Sequence, residues 1–318
     1  MNKSTITILV FLILAIIVAL VIIDFMGDRP DKRGGNPYEY NTDQFKSVDP
    51  SLIHYRETKN IPLGERKAKS IDIANDEIYL TGNNFIMVIL PDGIQKSYIP
   101  IEGNGECIKA TDKNIIIGFK NAISVFDHTG KILNSWNIDS ERTIITSIAV
   151  KGDQIFIADA GNRRVLKYTI QGVFLGQFEG KRNSGDSHGF IVPSPNFDLA
   201  INPFGELWVV NPGMHSIENY SDDGEFRGFW SKSSMEIDGF TGCCNPAEIA
   251  IMNDGSFITG EKGLVRIKIY DPSGKLLSVV APPEIFKEDG RAPEITFNTK
   301  GIIYALDFDR NVIRLFEK

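Results

Sequence analysis

Hairpin turns closed by glycine recur five times along this chain, each between two strand-like runs of residues. Glycine supplies the positive φ that tight hairpin turns need. Successive turn glycines lie 37, 42, 52 and 50 residues apart, which suits four-stranded propeller blades with loop insertions. The turns are Asp92-Gly93, Thr129-Gly130, Gln171-Gly172, Asp223-Gly224 and Ser273-Gly274.

The repeat predicts an all-β protein, a six-bladed β-propeller. Phe316 aligns with the residue that precedes the hairpin turn in the other units, so the sixth unit lacks its outermost strand. The strand-like segment from Ile53 to Leu63 belongs to no unit. We expect this segment to supply the missing strand and close the ring, because closure removes an open sheet edge. The propeller domain is thus predicted at 53–318, with units at about 68–103, 104–140, 142–180, 193–232, 244–281 and 291–318.

Residues 6–23 are eighteen consecutive apolar or small residues without a charge, long enough to cross a bilayer as one transmembrane helix. A cleaved signal peptide is the alternative, but the segment 22–26 offers no small-x-small cleavage site. We therefore predict a membrane signal anchor at 1–26. Residues 27–52 are rich in Gly, Pro, Asn and charged residues, which predicts a flexible tether. We expect the propeller on the extracytoplasmic side, although cations on both flanks of the apolar run leave the orientation weakly determined.

Charge and cysteine content argue against two classes of protein. The net charge is −7, and no basic stripe interleaved with aromatic residues is present, so nucleic acid is not an expected partner. The three cysteines, Cys107, Cys243 and Cys244, are too few for a disulfide framework and include an odd one.

Residues 147–168 in the third unit read SIAVKGDQIFIADAGNRRVLKY. This segment resembles an NHL repeat, a propeller module whose core reads strand, Ala-Asp-x-Gly-Asn-x-Arg, strand. We expect Asp159, Gly161, Asn162 and Arg163 to form the tight turn between the second and third strands, in a structural role. Members of the family mostly act as protein or nucleic-acid interaction platforms, and some related six-bladed propellers are metal-dependent hydrolases or lyases. The resemblance therefore implies the fold more strongly than the activity.

The starts of the six innermost strands align three consecutive carboxylates, Asp198, Glu248 and Glu294, with Ser70, Cys107 and Ser147. Equivalent residues of inner strands form rings around the central channel of a propeller. Clustered carboxylates repel one another unless a cation shares the site, so the three predict a divalent metal site for an ion such as Ca²⁺. The alternative interpretation is that they line a hydrated channel or bind backbone amides that join the blades.

The longest insertions, 181–196, 231–248 and 281–294, each join an outer strand to the next inner strand. All three should emerge on the face that carries the carboxylates, which is the predicted binding surface. Of the four histidines, only His188 and His215 could share this face. No nucleophile elbow, P-loop or dinucleotide-binding motif is present.

Residues 239–246 read GFTGCCNP and combine two glycines, adjacent cysteines and a proline. Cys243 and Cys244 can form a vicinal disulfide or bind a soft metal, and a bridge from one of them to Cys107 is a further alternative. The plainer interpretation is a tight turn in which the thiols only pack.

These patterns favour a membrane-tethered, extracytoplasmic propeller without catalytic activity, which binds a protein, peptide or small molecule through its loop-bearing face. The alternative is a metal-dependent hydrolase or lyase with a divalent ion held by the three carboxylates, and with His188 or His215 as its base. A third hypothesis is a redox or soft-metal role for Cys243 and Cys244.

Overall fold

Six antiparallel sheets form the propeller in the computed structural model, which describes residues 2–26, 43–182 and 189–318. Within the N-terminal helix, the described side chains are those at 4–5, 8–9 and 11–21. The chain divides into two units, Met1–Thr42 and Asp43–Lys318. The all-β, six-bladed architecture predicted from the repeat is confirmed.

Each sheet is one blade, and its innermost strand comes first in all six. Blade 6 is completed by a strand from the start of the propeller unit, β1 (Arg56–Pro62). Blade 1 consists of β2 (Ala68–Ala74), β3 (Glu77–Ile89) and β4 (Gln95–Asn104), and blade 2 consists of β5 (Cys107–Ala110), β6 (Ile115–Gly118), β7 (Ala122–Phe126) and β8 (Ile132–Asn137). Blade 3 consists of β9 (Ile145–Lys151), β10 (Gln154–Asp159), β11 (Arg164–Thr169) and β12 (Phe174–Phe178), and blade 4 consists of β13 (Leu199–Ile201), β14 (Leu207–Asn211), β15 (Ser216–Tyr220) and β16 (Phe226–Ser231). Blade 5 consists of β17 (Glu248–Ile251), β18 (Phe257–Gly260), β19 (Ile267–Tyr270) and β20 (Leu276–Ala281), and blade 6 consists of β21 (Glu294–Phe297), β22 (Ile303–Asp307), β23 (Val312–Glu317) and β1.

The first strands of neighbouring blades contact one another all the way round the ring, from β2 through β5, β9, β13 and β17 to β21 and back to β2. They therefore form the wall of the central channel. Because every first strand begins at the same end of this wall, residues at the strand starts come close together even though they are far apart in sequence.

The predicted closing strand is present. β1 pairs antiparallel with β23, with Arg56 opposite Glu317 and Pro62 opposite Val312. Arg314 of β23 also forms an ion pair with Glu57 of β1. The beginning of the propeller unit therefore completes its last blade and joins the two ends of the domain.

Deleting residues 43–64 from the chain is expected to destabilise the propeller, because it leaves the edge of β23 unpaired and open to association with other chains. We expect this deletion to yield aggregated protein, or protein that unfolds at a clearly lower urea concentration. The matched control lacks only residues 1–42. Equal urea midpoints and equal monomer content for the two shortened chains would contradict the closing role of β1.

Blade 1 has three continuous strands, whereas four were predicted. β3 spans 13 residues, and its first half pairs with β2 while its second half pairs with β4. Between the halves, Asn84 has a φ of 64°, and the Thr81 hydroxyl donates a hydrogen bond to the Phe85 carbonyl at 3.0 Å. The segments that form the second and third strands of the other blades are thus joined here without a break.

The hairpin glycines pack against the outer strand of the preceding blade. A Cβ atom at Gly274 in blade 5 would come within 2.6 Å of the Trp230 ring in blade 4, and one at Gly172 in blade 3 would come within 2.8 Å of the Trp136 ring in blade 2. Gly274 also has a φ of 83°, which side-chain-bearing residues rarely adopt. The recurrent glycine is therefore required both by the turn and by the packing between blades.

In the described part of the N-terminal unit, the chain forms a helix, α1 (Lys3–Met26). Among the described residues, no helix combines the length and the apolarity needed to cross a membrane, and the anchor at 1–26 stays a prediction. The predicted tether at 27–52 falls partly outside the described residues, at 27–42. Its remaining part, 43–52, belongs to the propeller unit, where Lys46 pairs with Glu288 at 2.5 Å and the Leu52 carbonyl accepts a hydrogen bond from Ser278.

Candidate functional site

A ring of residues at the starts of the inner strands lines the central channel. The channel encloses a cavity of about 210 Å³, and its wall includes Cys107, Ser147, Asp198, Glu248 and Glu294. The structure thus brings the three predicted carboxylates together. They meet because each lies at the first residue of an inner strand or directly before it.

Glu294 connects blade 6 to blade 1. Its carboxylate accepts hydrogen bonds from the Ser70 hydroxyl at 2.6 Å and from the Ile71 amide at 3.0 Å. The Ser70 hydroxyl oxygen accepts a bond from the Ile108 amide of blade 2 at 3.0 Å. Burial raises the pKa of Glu294 well above its usual range, although the two donors oppose this effect. This part of the ring joins three successive blades.

Asp198 connects blade 4 to blade 5 in the same way. One carboxylate oxygen accepts a hydrogen bond from the Leu199 amide at 2.8 Å, and the other accepts one from the Ile249 amide at 2.7 Å. Burial raises the pKa of Asp198, while the hydrogen bonds it accepts lower it. Among the alternatives considered from the sequence, binding of blade-joining amides is the one that this geometry matches.

Glu248 differs from these two carboxylates because its side chain has no backbone partner among the described residues. It is hydrogen bonded to the carboxylate of Asp198 instead. Burial, followed by the nearby charges of Asp198 and Glu294, raises the pKa of Glu248 well above its usual range. A raised pKa favours the protonated form, and a protonated carboxyl group can donate a hydrogen bond to the carboxylate of Asp198.

The channel opens into a cavity of about 960 Å³, which we call the mouth cavity. Its wall combines loops that join successive blades with turns between second and third strands. Residues 194–196 and Arg291, from two of the three predicted insertions, line it together with Glu248 and Glu294. The cavity therefore lies on the loop-bearing face predicted as the binding surface.

Cations outnumber carboxylates by four to three in the wall of the mouth cavity. Lys69 pairs with Glu106 at 2.6 Å, which leaves Lys120, Lys262 and Arg291 without an acidic partner among the described residues. The Lys262 amine donates to the Ser194 hydroxyl at 3.2 Å, and the Arg291 guanidinium lies 4.1 Å from the centre of the Phe308 ring. The side chain of Lys120 is exposed. The raised pKa values of Glu248 and Glu294 favour their neutral forms, and the excess of cations in this wall contrasts with the net charge of −7 of the whole protein.

The carboxylates do not form a recognisable metal centre. Over residues 2–26, 43–182 and 189–318, no group of three or more His, Cys, Asp or Glu side chains is placed to hold a metal ion. Both oxygens of Asp198 and both oxygens of Glu294 already accept hydrogen bonds from the blades. The Ca²⁺ site at Asp198, Glu248 and Glu294 stays a prediction.

The structure describes one of the two histidines predicted to lie on the binding face. His188 lies outside the described residues. His215 has one ring nitrogen, Nδ1, 2.8 Å from the Ser233 hydroxyl, and its Nε2 contacts the Gly242 carbonyl oxygen. His215 does not line the mouth cavity, so the structure gives it a contact to the 231–248 insertion rather than a position for a catalytic base.

All three cysteines are free thiols, and Cys107 is buried in the channel wall. The structure therefore contains neither the vicinal disulfide nor the bridge to Cys107 considered from the sequence. Cys243 is exposed, Cys244 is buried, and their Sγ atoms lie 3.1 Å apart. They lie near the rim of the mouth cavity, because Cys244 interacts with the wall residues Ser194 and Lys262.

The turn that resembles an NHL repeat is organised around Asp159, whose side chain is fully buried. Its carboxylate accepts hydrogen bonds from the Ile144 amide at 3.1 Å and the Asn162 amide at 3.2 Å, and it pairs with Arg164 at 2.9 Å. Arg163 lies in the turn between β10 and β11, as predicted, and adopts a left-handed φ of 53°. Glycine is required at Gly161, because a Cβ there would lie 1.7 Å from the Arg142 carbonyl oxygen.

Blade 5 contains an equivalent pair that the sequence analysis missed. Glu261 pairs with Arg266, five residues later, at 2.8 Å, and also with Lys268 at 2.7 Å; all three side chains are fully buried. The spacing of five residues between acid and arginine matches Asp159 and Arg164, and this spacing is the signal that could have revealed the pair.

This buried cluster holds the 231–248 insertion in place. Arg266 and Lys268 donate hydrogen bonds to the Gly239 carbonyl at 3.1 and 2.6 Å, and Glu261 accepts one from the Thr241 amide at 3.2 Å. Burial lowers the pKa of Lys268 to about 7, although the charge of Glu261 opposes this effect. The cluster therefore fixes the base of the loop that carries the two adjacent cysteines.

These features define a six-bladed β-propeller whose mouth cavity carries four cationic side chains. No protein-family model matches the chain, and no curated protein matches it. Among solved structures, it is similar to a streptogramin B lyase (14% identity, TM-score 0.59, covering 83% of this chain and 97% of that one). It is also similar to virginiamycin B lyase from Staphylococcus aureus (14% identity, TM-score 0.59, covering 83% of this chain and 99% of that one). A third similar structure is the WD40 β-propeller domain of Doa1 (10% identity, TM-score 0.57, covering 83% of this chain and 97% of that one). At these identities the likeness shows the fold alone.

Proposed function

We propose that this protein is a membrane-tethered, extracytoplasmic propeller that binds a negatively charged ligand in its mouth cavity and does not catalyse a reaction. The ligand belongs to the class of acidic peptides, protein segments or small anions. The observation that carries this proposal is the group of cations, Lys120, Lys262 and Arg291, in the wall of a cavity of about 960 Å³. A cavity lined by one sign of charge attracts and orients ligands of the opposite sign.

The hydrogen bonds of the carboxyl ring support a binding role rather than a catalytic one. Asp198 and Glu294 each accept backbone amides of the next blade, so their geometry is determined by ring closure. A rigid ring below a wall of loops is the arrangement in which binding residues are commonly presented.

Attachment to a membrane is part of the same proposal and is supported by the sequence. Residues 6–23 provide eighteen consecutive apolar or small residues, which is sufficient for a bilayer-spanning helix. A following segment rich in Gly, Pro, Asn and charge would give the propeller reach from the membrane surface.

A charge-matched peptide pair tests the binding proposal. Full-length protein, kept in mild detergent, is titrated into fluorescein-labelled acetyl-pentaglutamate or acetyl-pentalysine while fluorescence anisotropy is recorded. We expect only pentaglutamate to bind. The Lys120→Glu substitution should weaken its binding at least about tenfold, equivalent to about 1.4 kcal/mol, because it places a like charge against the ligand.

Lys113→Glu is the matched control, because it changes the net charge equally at an exposed site. Lys113 lies in the turn between β5 and β6, at the other end of these strands from Lys120. We expect this variant to bind pentaglutamate within about twofold of the wild-type protein, since screening by salt weakens charges beyond about 10 Å. Equal losses in the two variants, or no binding of pentaglutamate by the wild-type protein, would contradict the proposal.

A hydrolase or lyase is the second candidate, and one observation favours it. Glu248 lines both the channel and the mouth cavity, and its pKa is raised well above its usual range. A carboxyl group with a raised pKa is a suitable general acid. Elemental analysis of the full-length protein distinguishes the metal-dependent form of this candidate. About one equivalent of a divalent metal, lost in a Glu248→Gln variant, would favour it over the binding role.

A further inference from the structure

A pair of adjacent thiols lies at the rim of the mouth cavity and has no role in the proposed binding function. The Sγ atoms of Cys243 and Cys244 are 3.1 Å apart, within hydrogen-bonding distance for sulfur. Cys243 is exposed, whereas only 2% of the surface of Cys244 is accessible. One thiol therefore faces solvent while the other lies directly behind it.

The loop that carries the thiols is fixed on both sides. The Asn245 side-chain amide donates hydrogen bonds to the Thr241 carbonyl at 2.7 Å and to the Lys262 carbonyl at 3.1 Å, and its oxygen accepts one from the Lys262 amide at 2.9 Å. On the other side, the Gly242 carbonyl contacts Nε2 of His215. These contacts hold the cysteines beside Lys262.

The surroundings of the two thiols make them unequal. Burial raises the pKa of Cys244, but hydrogen bonds with Ser194, Cys243 and Lys262 outweigh this effect and lower its pKa below the usual value. The hydrogen bond with Cys244 raises the pKa of Cys243. Cys244 is therefore the easier of the two thiols to deprotonate, and the 3.1 Å distance between the sulfurs allows a proton to pass from one to the other.

We propose that Cys243 and Cys244 form a redox-active dithiol that reacts with low-molecular-weight disulfides and closes to a vicinal disulfide at the rim of the mouth cavity. The exposed position of Cys243, the adjacent Cys244 and the lysine beside it carry this inference. It is independent of the ligand proposed for the cavity.

The reaction consists of two thiol–disulfide exchanges. In the first, the Cys243 thiolate attacks one sulfur of a disulfide RSSR, forms a mixed disulfide and releases one RS⁻. In the second, the Cys244 thiolate attacks the Cys243 sulfur, forms the bond between the two cysteines and releases the second RS⁻. The two protons lost by the cysteines are taken up by the two RS⁻ groups. The protein dithiol is thus oxidised by two electrons, and the small disulfide is reduced to two thiols.

The product is expected to be readily reduced. Adjacent residues have Cα atoms about 3.8 Å apart, less than the roughly 4.4–6.8 Å that most disulfides span. Bonds of this kind are more easily reduced than ordinary structural disulfides. An excess of reduced glutathione should therefore return the pair to its dithiol form.

Mass spectrometry after alkylation tests the proposal on the full-length protein. The protein is incubated with oxidised glutathione, and remaining thiols are trapped with iodoacetamide. We expect the peptide containing residues 243–244 to lose both alkylation sites and to carry no glutathione. Cys107 is buried, so iodoacetamide should alkylate it only after the protein is unfolded. The Cys107→Ser variant is the control and should react as the wild-type protein does.

Single substitutions separate the two steps. Cys244→Ser should stop after the first exchange, with one stable glutathione on Cys243. Cys243→Ser should react at least about tenfold more slowly, because the remaining thiol is buried. A wild-type protein that accumulates glutathione on Cys243, or that keeps both thiols, would overturn the proposal.

Lys262→Met tests whether the lysine positions and activates the pair. We expect the second exchange to slow several-fold and its pH profile to move to higher pH, because the Cys244 thiolate loses a neighbouring positive charge. An unchanged pH profile would show that Lys262 does not activate the two cysteines. It would overturn the assignment of a dithiol site organised by Lys262.

Discussion

Replacing Glu261 with glutamine is expected to lower the free energy of unfolding by about 3–5 kcal/mol, the usual loss when a buried ion pair is broken on one side. The substitution retains the size of the side chain but leaves Arg266 and Lys268, both fully buried, without their counter-charge. It also weakens the contact to the Thr241 amide at the base of the 231–248 insertion. The measurement is urea unfolding of the full-length protein, followed by tryptophan fluorescence.

Glu106→Gln is the matched control for this experiment. Glu106 forms an ion pair with Lys69, but both side chains are about one-third exposed, and pairs of this kind contribute at most about 1 kcal/mol. The structural role assigned to the Glu261 cluster would be contradicted if Glu261→Gln destabilised the protein no more than Glu106→Gln does.

The loss caused by Glu261→Gln should also depend on pH. The pKa of Lys268 is about 7 in the folded protein, below the value of about 10.4 expected for an unfolded chain. Between these values the unfolded state binds more protons, so the contribution of Lys268 to stability rises with pH. At pH 9 Lys268 is neutral and no longer needs a counter-charge, so the Glu261→Gln variant should lose less stability at pH 9 than at pH 6.

Gly161→Ala is expected to destabilise the protein by about 2–4 kcal/mol, in the upper range for single substitutions. The new Cβ would lie 1.7 Å from the Arg142 carbonyl oxygen and 3.1 Å from the Ile144 amide nitrogen. Both are backbone atoms of the loop whose Ile144 amide donates a hydrogen bond to the buried Asp159 carboxylate. Relief of the clash would therefore disturb that hydrogen bond.

Gly228→Ala separates this steric effect from the general effect of replacing glycine. Gly228 lies in β16, has no positive φ, and would place its Cβ in open space. The change should be within about 0.5 kcal/mol, as for most surface substitutions. Similar urea midpoints for the two alanine variants would contradict the close approach of the Arg142 backbone to Gly161.

The blade repeat was predictable because its signals are local. Turn glycines such as Gly172 and Gly274 are required by the hairpin and by packing against the preceding blade, so they recur at blade spacing. The closing role of the segment at 53–63 followed from counting strands. The continuous β3 of blade 1 was not predicted, because the short link through Asn84 contains no feature that distinguishes a strand break from a tight turn.

The carboxyl ring was predictable in position but not in its bonding. The alignment of strand starts placed Asp198, Glu248 and Glu294 together, as the structure does. Their partners are amides such as Ile71 and Ile249, which lie in the next blade. Such pairings depend on the stagger between blades, which no local pattern encodes.

Residue roles in the turns were harder to assign than the turns themselves. Arg163 and Arg164 are adjacent and chemically identical, and the sequence analysis named Arg163, whereas the spacing of the motif and the structure both place Arg164 opposite Asp159. The Glu261–Arg266 pair was missed because the surrounding residues depart from the NHL pattern, although the spacing of acid and arginine is retained. A search by spacing and charge, rather than by residue identity, would have detected it.

Hydrogen–deuterium exchange of the full-length protein, with and without acetyl-pentaglutamate, is the most direct test of the mouth cavity as a binding site. We predict slower exchange in the wall segments 119–121, 194–197 and 291–292, with no change in the turns at the other end of the blades, 111–114 and 152–153. Protection of those distant turns, or no protection anywhere, would contradict the assignment of the mouth cavity as the site of ligand binding.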